Sequence, residues 1–214
     1  MRRYLLVGLA LWAMLVSVVR AADTNIVLNV AGDVVVENFG KASKVQPFSR
    51  LLEGDRVKLG ADGKLTIVYA VSGRQEMWSG AGVIVAGEDQ STAVSGSPSV
   101  QTKQLPKQVV QQMSRTPLAD ATGKAGMVRM RAIATPDALA ALEQKYQELR
   151  SQAAADDRGP EIFFLAGLFE KSAFERLQQE LDRVRKDYPN DESMQVLAKL
   201  YVRAINNARQ AANP

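Results

Sequence analysis

Three carboxylates, Glu53, Asp55 and Asp62, are the first residues whose types could support chemistry, either as Ca²⁺ ligands or as acid–base groups. A Ca²⁺ loop needs oxygen ligands at regularly alternating positions. These acids instead lie in separate turns, where an aspartate typically bonds its own backbone. We therefore expect turn roles for them, with no metal site and no cofactor.

Two missing residue types narrow the chemistry further. The chain of 214 residues contains no Cys and no His. A thiolate nucleophile, a disulfide, a zinc finger and a Ser-His-Asp triad are therefore excluded. A serine nucleophile would need a positioned lysine, and no Ser-x-x-Lys spacing occurs in the sequence. We expect no catalytic residue and a protein that is not an enzyme.

Four basic residues are candidates for binding an anionic partner, such as a peptidoglycan carboxylate or a lipid headgroup: Arg115, Lys124, Arg129 and Arg131. The last two alternate in a predicted strand and so share one face of it. The alternative is a solvated face, with the long side chains covering apolar surface.

Two aromatic residues are further candidates for partner contact. Trp78 could stack on a sugar, or it could pack in the core of a β domain. Phe163 lies in a helix that is apolar nearly all round, which indicates burial on several sides. Contact with a partner would account for any apolar surface of that helix left over after core packing.

The first 22 residues resemble a secretory signal peptide. Arg2 and Arg3 precede an uncharged apolar run over residues 4–19, and small residues follow Arg20. The alternative is an uncleaved membrane anchor, but a span needs about 20 apolar residues. We expect cleavage and export to the periplasm of a Gram-negative bacterium.

Charge gives no reason to expect nucleic-acid binding. The full chain has 27 basic and 23 acidic residues, a net charge of +4. Removal of Arg2, Arg3 and Arg20 with the signal leaves 24 basic residues and a net charge of +1. Residues 101–136 carry six basic residues and one acid, so positive charge is concentrated there.

Residues 23–100 alternate in hydropathy with period two, which predicts short strands. Five segments rich in β-branched residues are expected to be strands: 26–30, 34–37, 56–59, 64–69 and 82–85. Gly-containing turns separate them, and Asp62-Gly63 suits a two-residue hairpin. The pattern favours a small antiparallel β-sandwich or barrel. Residues 101–134 are expected to form a basic connector with one short helix over 107–114 and a returning strand over 127–133.

From residue 135 to about 210 the apolar period becomes helical. Thr135-Pro136-Asp137 is typical of a helix start, and Gly159-Pro160 opens a second helix. Ser172 and Glu175 have the spacing of a capping box for a third, and Asp191 is expected to cap a fourth. Short connections predict antiparallel helical hairpins, so the fold class is α+β.

The β region resembles the FecR-type domain of bacterial envelope proteins. The resemblance lies in Gly32-Asp33-Val34, in Gly54-Asp55-Arg56-Val57 and in the strand from Leu65 to Tyr69. The namesake of that family is a sensor that signals to a sigma factor through a cytoplasmic segment. Here only Met1-Arg2-Arg3 precede the apolar run, so the resemblance implies the domain without that relay.

The C-terminal helices resemble degenerate tetratricopeptide (TPR) units. The similarity lies in Ala173-Phe174-Glu175-Arg176-Leu177 and in Tyr188-Pro189-Asn190-Asp191. TPR units bury their faces only against neighbours, and about three are normally needed. The remaining apolar face is therefore expected to meet the β domain, another copy or a partner.

Together these features predict a non-enzymatic periplasmic adaptor or scaffold whose partner is another envelope protein. Two alternatives remain open at this stage. One is a FecR-type signalling component that relays through another protein, and the other is a peptidoglycan-binding or glycan-binding module. Membrane contact is expected only through an uncleaved signal anchor.

Overall fold

The computed structural model describes residues 25–38, 41–119 and 135–212. The described chain is α+β, with two antiparallel five-stranded sheets followed by helices. Its ten strands are β1 (Asn25–Ala31), β2 (Val34–Asn38), β3 (Lys41–Lys44), β4 (Arg50–Leu51), β5 (Arg56–Leu59), β6 (Lys64–Val68), β7 (Arg74–Ser79), β8 (Gly82–Ala86), β9 (Ser91–Gly96) and β10 (Ser99–Gln104). Its helices are α1 (Lys107–Met113), α2 (Pro136–Gln152), α3 (Gly159–Glu170), α4 (Phe174–Asp187) and α5 (Glu192–Ala212).

The strands divide between two sheets. Sheet A has the order β10-β7-β6-β1-β4, and sheet B has the order β3-β2-β5-β8-β9. All five predicted strand segments coincide with observed strands, namely β1, β2, β5, β6 and β8. The sequence patterns did not reveal β7, β9 and β10, which are polar, or β3 and β4, which are short.

Two of the crossings between the sheets are tight corners that contact each other. The Asp62-Gly63 turn was predicted to join paired strands, and this is wrong, because β5 belongs to sheet B and β6 to sheet A. The Gly32-Asp33 turn makes the opposite crossing, from β1 to β2. The Gly60 N–H donates to the Asp33 carbonyl at 2.8 Å, so the two corners pack against each other. Gly32 has φ +70°, and a Cβ there would lie 2.5 Å from the Asp62 carbonyl oxygen.

Two apolar cores place sheet A in the middle of three layers. The first core lies between the sheets and includes Val27, Ile67 and Trp78. The second lies between sheet A and the helices and includes Ile26 and Leu28 with residues from all five helices. Ile26, Val27 and Leu28 of β1 alternate between the two cores because successive side chains of a strand point to opposite faces. A register shift between Val27 and Asn29 then leaves Asn29 on the same face as Leu28, toward the helices. Part of the apolar face of the helices thus packs against sheet A, through Ile26, Leu28 and Val68.

Two of the predicted helix caps are confirmed and one is wrong. The Thr135 hydroxyl accepts from the Ala138 N–H at 3.3 Å, and Asp191 Oδ1 accepts from the Met194 N–H at 3.1 Å. The capping box at Ser172 is not formed, since the N-cap of α4 is Ala173 and no side chain caps it. Ser172 instead adopts φ +56° in the tight turn after α3.

Candidate functional site

A cleft lies where the outer face of sheet A meets the helical region. It has a volume of about 270 Å³. Side chains from β1, β6, β7 and β10 form its floor, and the α2–α3 loop and the start of α5 form its walls. Clefts at the junction of two structural units that combine apolar walls with a few convergent polar groups are common ligand sites.

Strand register brings the floor residues together. Asn29 lies opposite Thr66, Thr66 opposite Met77, and Met77 opposite Gln101, which forms one row across the sheet. In the next row on the same face, Gln75 lies opposite Lys103. The floor is therefore made largely of amides and a hydroxyl, with Met77 as an apolar side chain among them.

Three polar contacts hold the walls around this floor. Lys103 Nζ donates to Asp157 Oδ2 at 2.7 Å, which ties β10 to the α2–α3 loop. Arg158 Nε donates to Asp191 Oδ2 at 2.9 Å, which ties that loop to α5. The hydroxyl of Ser193 donates to Asn29 Oδ1 at 2.6 Å, which ties α5 to β1.

The wall residue Arg158 also rests on an aromatic ring. Its guanidinium carbon lies 4.1 Å from the centre of the Tyr188 ring, a cation–π arrangement. The Tyr188 hydroxyl donates to Glu161 Oε1 at 3.3 Å. Burial, with the nearby Glu161 carboxylate, raises the pKa of Tyr188 above its usual value although Arg158 opposes this. The phenol therefore keeps its proton at neutral pH and stays a donor.

One polar atom on the cleft floor has no partner. Gln75 is only 5% exposed, and its Oε1 accepts no hydrogen bond in the described structure. Lys103 lies directly across the strand pair but donates to Asp157 instead. A buried acceptor left without a donor costs about 1–3 kcal/mol.

On the rim, the exposed carboxylate of Asp156 forms no ion pair with the described residues.

The open edge of sheet A lies beside the cleft. All six residues of β10 are exposed, and among the described residues the strand pairs on one side only, with β7. The Leu105 N–H donates to the Gly73 carbonyl. Since hydrogen-bonded pairs alternate along an antiparallel ladder, Val100 and Thr102 direct their backbone N–H and C=O groups away from β7.

Three of the four sheet edges carry features that discourage strand pairing, and β10 carries fewest. Strand β4 has two residues, and β3 has two lysines among its four. Strand β9 contains a bulge at Val94, where its register with β8 shifts. Strand β10 has an unbroken register over six residues, no proline, and one lysine whose amine is already engaged. Short strands, lysines and bulges are the usual protections of an edge.

The three predicted binding residues that the structure describes do not form one site. Trp78 is 5% exposed, and its indole N–H donates to Glu76 Oε2, so it is a core residue and is not placed to stack on a sugar. Phe163 is 6% exposed within the core shared by helices and sheet A. Arg115 forms an ion pair with Glu170. Lys124, Arg129 and Arg131 lie outside the described residues, as does the predicted strand over 127–133.

The three carboxylates considered first are also separate. Asp55 Oδ2 accepts from the Leu52 N–H at 2.9 Å, which is the turn role expected for it. Within residues 25–38, 41–119 and 135–212, no group of three or more acidic residues is arranged to hold a metal ion. In the same ranges, no helix is both long and apolar enough to cross a membrane.

Sequence reasoning missed the residues of the cleft. Lys103 was counted only among the charges of a basic connector. The period-two pattern of Gln75, Met77, Gln101 and Lys103 is the signal that could have placed them on one sheet face.

Comparison of the chain with family models, curated proteins and solved structures finds no match.

Proposed function

We propose that this protein is a non-enzymatic adaptor that binds another protein by adding an extended segment of it to the edge of sheet A. The observation that carries this proposal is the edge of β10, which no other described strand covers. An added strand gains affinity from main-chain hydrogen bonds, and its alternate side chains give specificity. The outward backbone groups of Val100 and Thr102 offer those hydrogen bonds.

The remainder of the fold supports this role by making the edge rigid. Strand β10 is held through β7 in a sheet with an apolar core on each face. The Lys103–Asp157 ion pair further ties β10 to the helical region. A pre-organised edge loses little conformational freedom when a partner strand pairs with it. The exposed side chain of Val100, 40% accessible, adds apolar surface at the same place.

We place this adaptor in the bacterial envelope. The sequence of residues 1–22 supports export through a cleaved signal peptide. The two-sheet sandwich is compatible with a FecR-like domain, and the consecutive packing of α2, α3, α4 and α5 is compatible with degenerate TPR units. The partner is accordingly another exported protein. Mass spectrometry of the N-terminus after cell fractionation tests this part, and a cytosolic protein with residue 1 retained would contradict it.

The edge can be tested with a matched pair of proline variants. Thr102→Pro removes an outward N–H from β10, where proline is tolerated because no ladder bond is lost. Ala42→Pro is the matched control, because it removes an outward backbone N–H from β3, the edge strand of sheet B. The Val45 N–H points toward β2, where it donates to the Val34 carbonyl, so the alternation along the strand directs the Ala42 N–H away from β2. A photo-crosslinker at Val100 should capture a discrete partner in cells. Thr102→Pro should abolish that cross-link and Ala42→Pro should keep it.

Two outcomes would contradict the edge proposal. One is a cross-link at Val100 that survives Thr102→Pro in full. The other is the absence of any cross-link at Val100 under conditions where the folded protein is present at its native level. Circular dichroism of both proline variants establishes that the folds are intact before the comparison is made.

A further inference from the structure

We propose that the cleft between sheet A and the helical region binds the primary ammonium group of an aliphatic amine. A lysine side chain of a peptide and a free alkylamine share this chemistry. The site is distinct from the strand-pairing edge and does not depend on it. Three features of the cleft carry the proposal: an acceptor without a donor, an excess of carboxylates, and apolar walls.

The acceptor is Gln75 Oε1. The residue is 95% buried and lines the cleft, and this atom receives no hydrogen bond from any residue that the structure describes. Lys103, the cation that faces Gln75 across the strand pair, is engaged by Asp157. A ligand that donates an N–H to Gln75 Oε1 would relieve the cost of leaving this acceptor unpaired.

The charges around the cleft select a cation over an anion. Three carboxylates line it, Asp156, Asp157 and Asp191, against the two cations Lys103 and Arg158. Both cations are already paired, with Asp157 and Asp191 respectively. Asp156 is the carboxylate left without an ion pair among the described residues, and it lies at the solvent-exposed rim. An entering ammonium group therefore meets a free carboxylate, whereas an anion meets cations that are already neutralised.

The apolar walls and the volume of the cleft favour a ligand whose ammonium group is attached to an alkyl chain. Four apolar side chains line the cleft: Leu28, Met77, Ile162 and Met194. The volume of about 270 Å³ equals the share of about nine liquid waters. A chain of four or five methylenes fits this space, and its burial against the apolar walls is favourable.

The test uses simple probes that differ in one group. Pentylamine and pentanol have the same chain, but only the first has an ammonium group. Nα-acetyl-lysine N-methylamide presents the same ammonium group on a peptide unit, and its Nε-acetylated form removes the charge. Calorimetry and two-dimensional NMR of the mature protein should show binding of the amines at least tenfold tighter than of their neutral counterparts. Preference for pentylamine or for the lysine derivative then distinguishes a free amine from a peptide as the source.

Three variants connect binding to the cleft. Gln75→Met keeps the volume and removes the unpaired acceptor, so affinity for pentylamine should fall at least tenfold. Its melting temperature without ligand should rise by about 2–4 °C, because the cost of the unpaired acceptor disappears. Asp156→Asn, on the exposed rim, should weaken binding several-fold, most clearly at low salt. Gln90→Met is the control: it lies in an exposed turn away from the cleft, so it should change neither the affinity for pentylamine nor the melting temperature.

The proposal would be overturned if pentylamine and pentanol bound equally or if neither bound at millimolar concentration. Undiminished amine binding in Gln75→Met and Asp156→Asn together would also overturn it. Asp156→Asn keeps the test valid if Gln75→Met does not fold, since its side chain is exposed. Loss of amine binding would leave the β10 cross-link unaffected, so failure here is distinguishable from failure of the adaptor proposal.

Discussion

The indole N–H of Trp78 donates to Glu76 Oε2 at 2.8 Å, two residues along the same strand. Glu76 is fully buried and also accepts from Arg74 Nε at 2.8 Å and from the Ser91 N–H at 3.1 Å. A buried carboxylate is tolerated when its acceptor sites are filled by donors and a cation. This cluster anchors β7 in the sandwich and links it to the first residue of β9 in the opposite sheet.

Replacement of Glu76 should strongly destabilise the protein. Glu76→Ala leaves the Trp78 and Ser91 donors buried without an acceptor, and the expected loss is about 3–5 kcal/mol of unfolding free energy. Glu76→Gln retains one acceptor oxygen and should lose less. Urea denaturation measures both, with the exposed Glu88→Ala as the control. A Glu76→Ala midpoint equal to that of the wild type would contradict this account.

Because the two corners pack against each other, substitution of Gly32 should lower the unfolding free energy more than substitution of Gly54. Gly32 and Gly54 both have positive φ, of 70° and 89°. A Cβ at Gly32 would meet the Asp62 carbonyl oxygen at 2.5 Å, whereas a Cβ at Gly54 would meet nothing within 4 Å. Gly54→Ala should cost about 1 kcal/mol from backbone strain alone. Gly32→Ala should cost clearly more, and equal denaturation midpoints for the two variants would show that the corners do not pack as described.

The shared core predicts that the sandwich and the helices unfold together. Leu28 of β1 is 6% exposed and belongs to the core that contains residues of α2, α3, α4 and α5. Leu28→Ala should lower the unfolding free energy by about 2–5 kcal/mol. Far-ultraviolet circular dichroism reports the helices, and tryptophan fluorescence of a variant without residues 1–22, which removes Trp12, reports Trp78 in the sandwich. The two curves should coincide in the wild type and shift together in the variant, whereas separate transitions would indicate independent units.

Stability should decline at alkaline pH because of buried tyrosines. Burial raises the pKa of Tyr146 and of Tyr201 above the usual value of about 10. In this range the native state holds these protons more tightly than the unfolded state, so the stabilisation is complete below about pH 10 and is lost as pH rises further. Tyr201→Phe should make the decline above pH 10 shallower. At pH 7 it should be nearly neutral, because the buried Tyr201 hydroxyl has only the Thr116 hydroxyl as a neighbouring partner among the described residues, and no well-formed hydrogen bond joins the two. Urea midpoints from pH 7 to 11 measure both effects, and an unchanged slope would exclude Tyr201 as a contributor.

The sequence predicted the elements in which local pattern and packing agree. The strand over 64–69 is rich in β-branched residues, and the helix after Thr135 has a cap, a proline and apolar residues spaced three and four apart. Both are present where they were expected. Strand β10 was not predicted because its residues are nearly all polar, and its extended conformation comes from pairing with β7.

The candidate site could not be predicted because its residues come from distant parts of the chain. Asn29 and Ser193 are 164 positions apart, and Lys103 and Asp157 are 54 apart. Sequence spacing carries no information on such pairs. Trp78 was a candidate for surface contact since a lone strand tryptophan gives no sign of which sheet face it occupies. Its burial became visible only with the register of β6, β7 and β10.

By itself, the sequence determined five of the ten described strands, the five described helices, the helix caps at Thr135 and Asp191, and the exclusion of cysteine and histidine chemistry. These depend on residue type and on neighbours within one or two turns, where backbone preferences act. Tertiary structure alone decided which strands pair, which face of sheet A meets the helices, and which acceptor is left without a donor. Those outcomes follow from burying apolar surface and satisfying hydrogen bonds across the whole chain at once, which no local pattern contains.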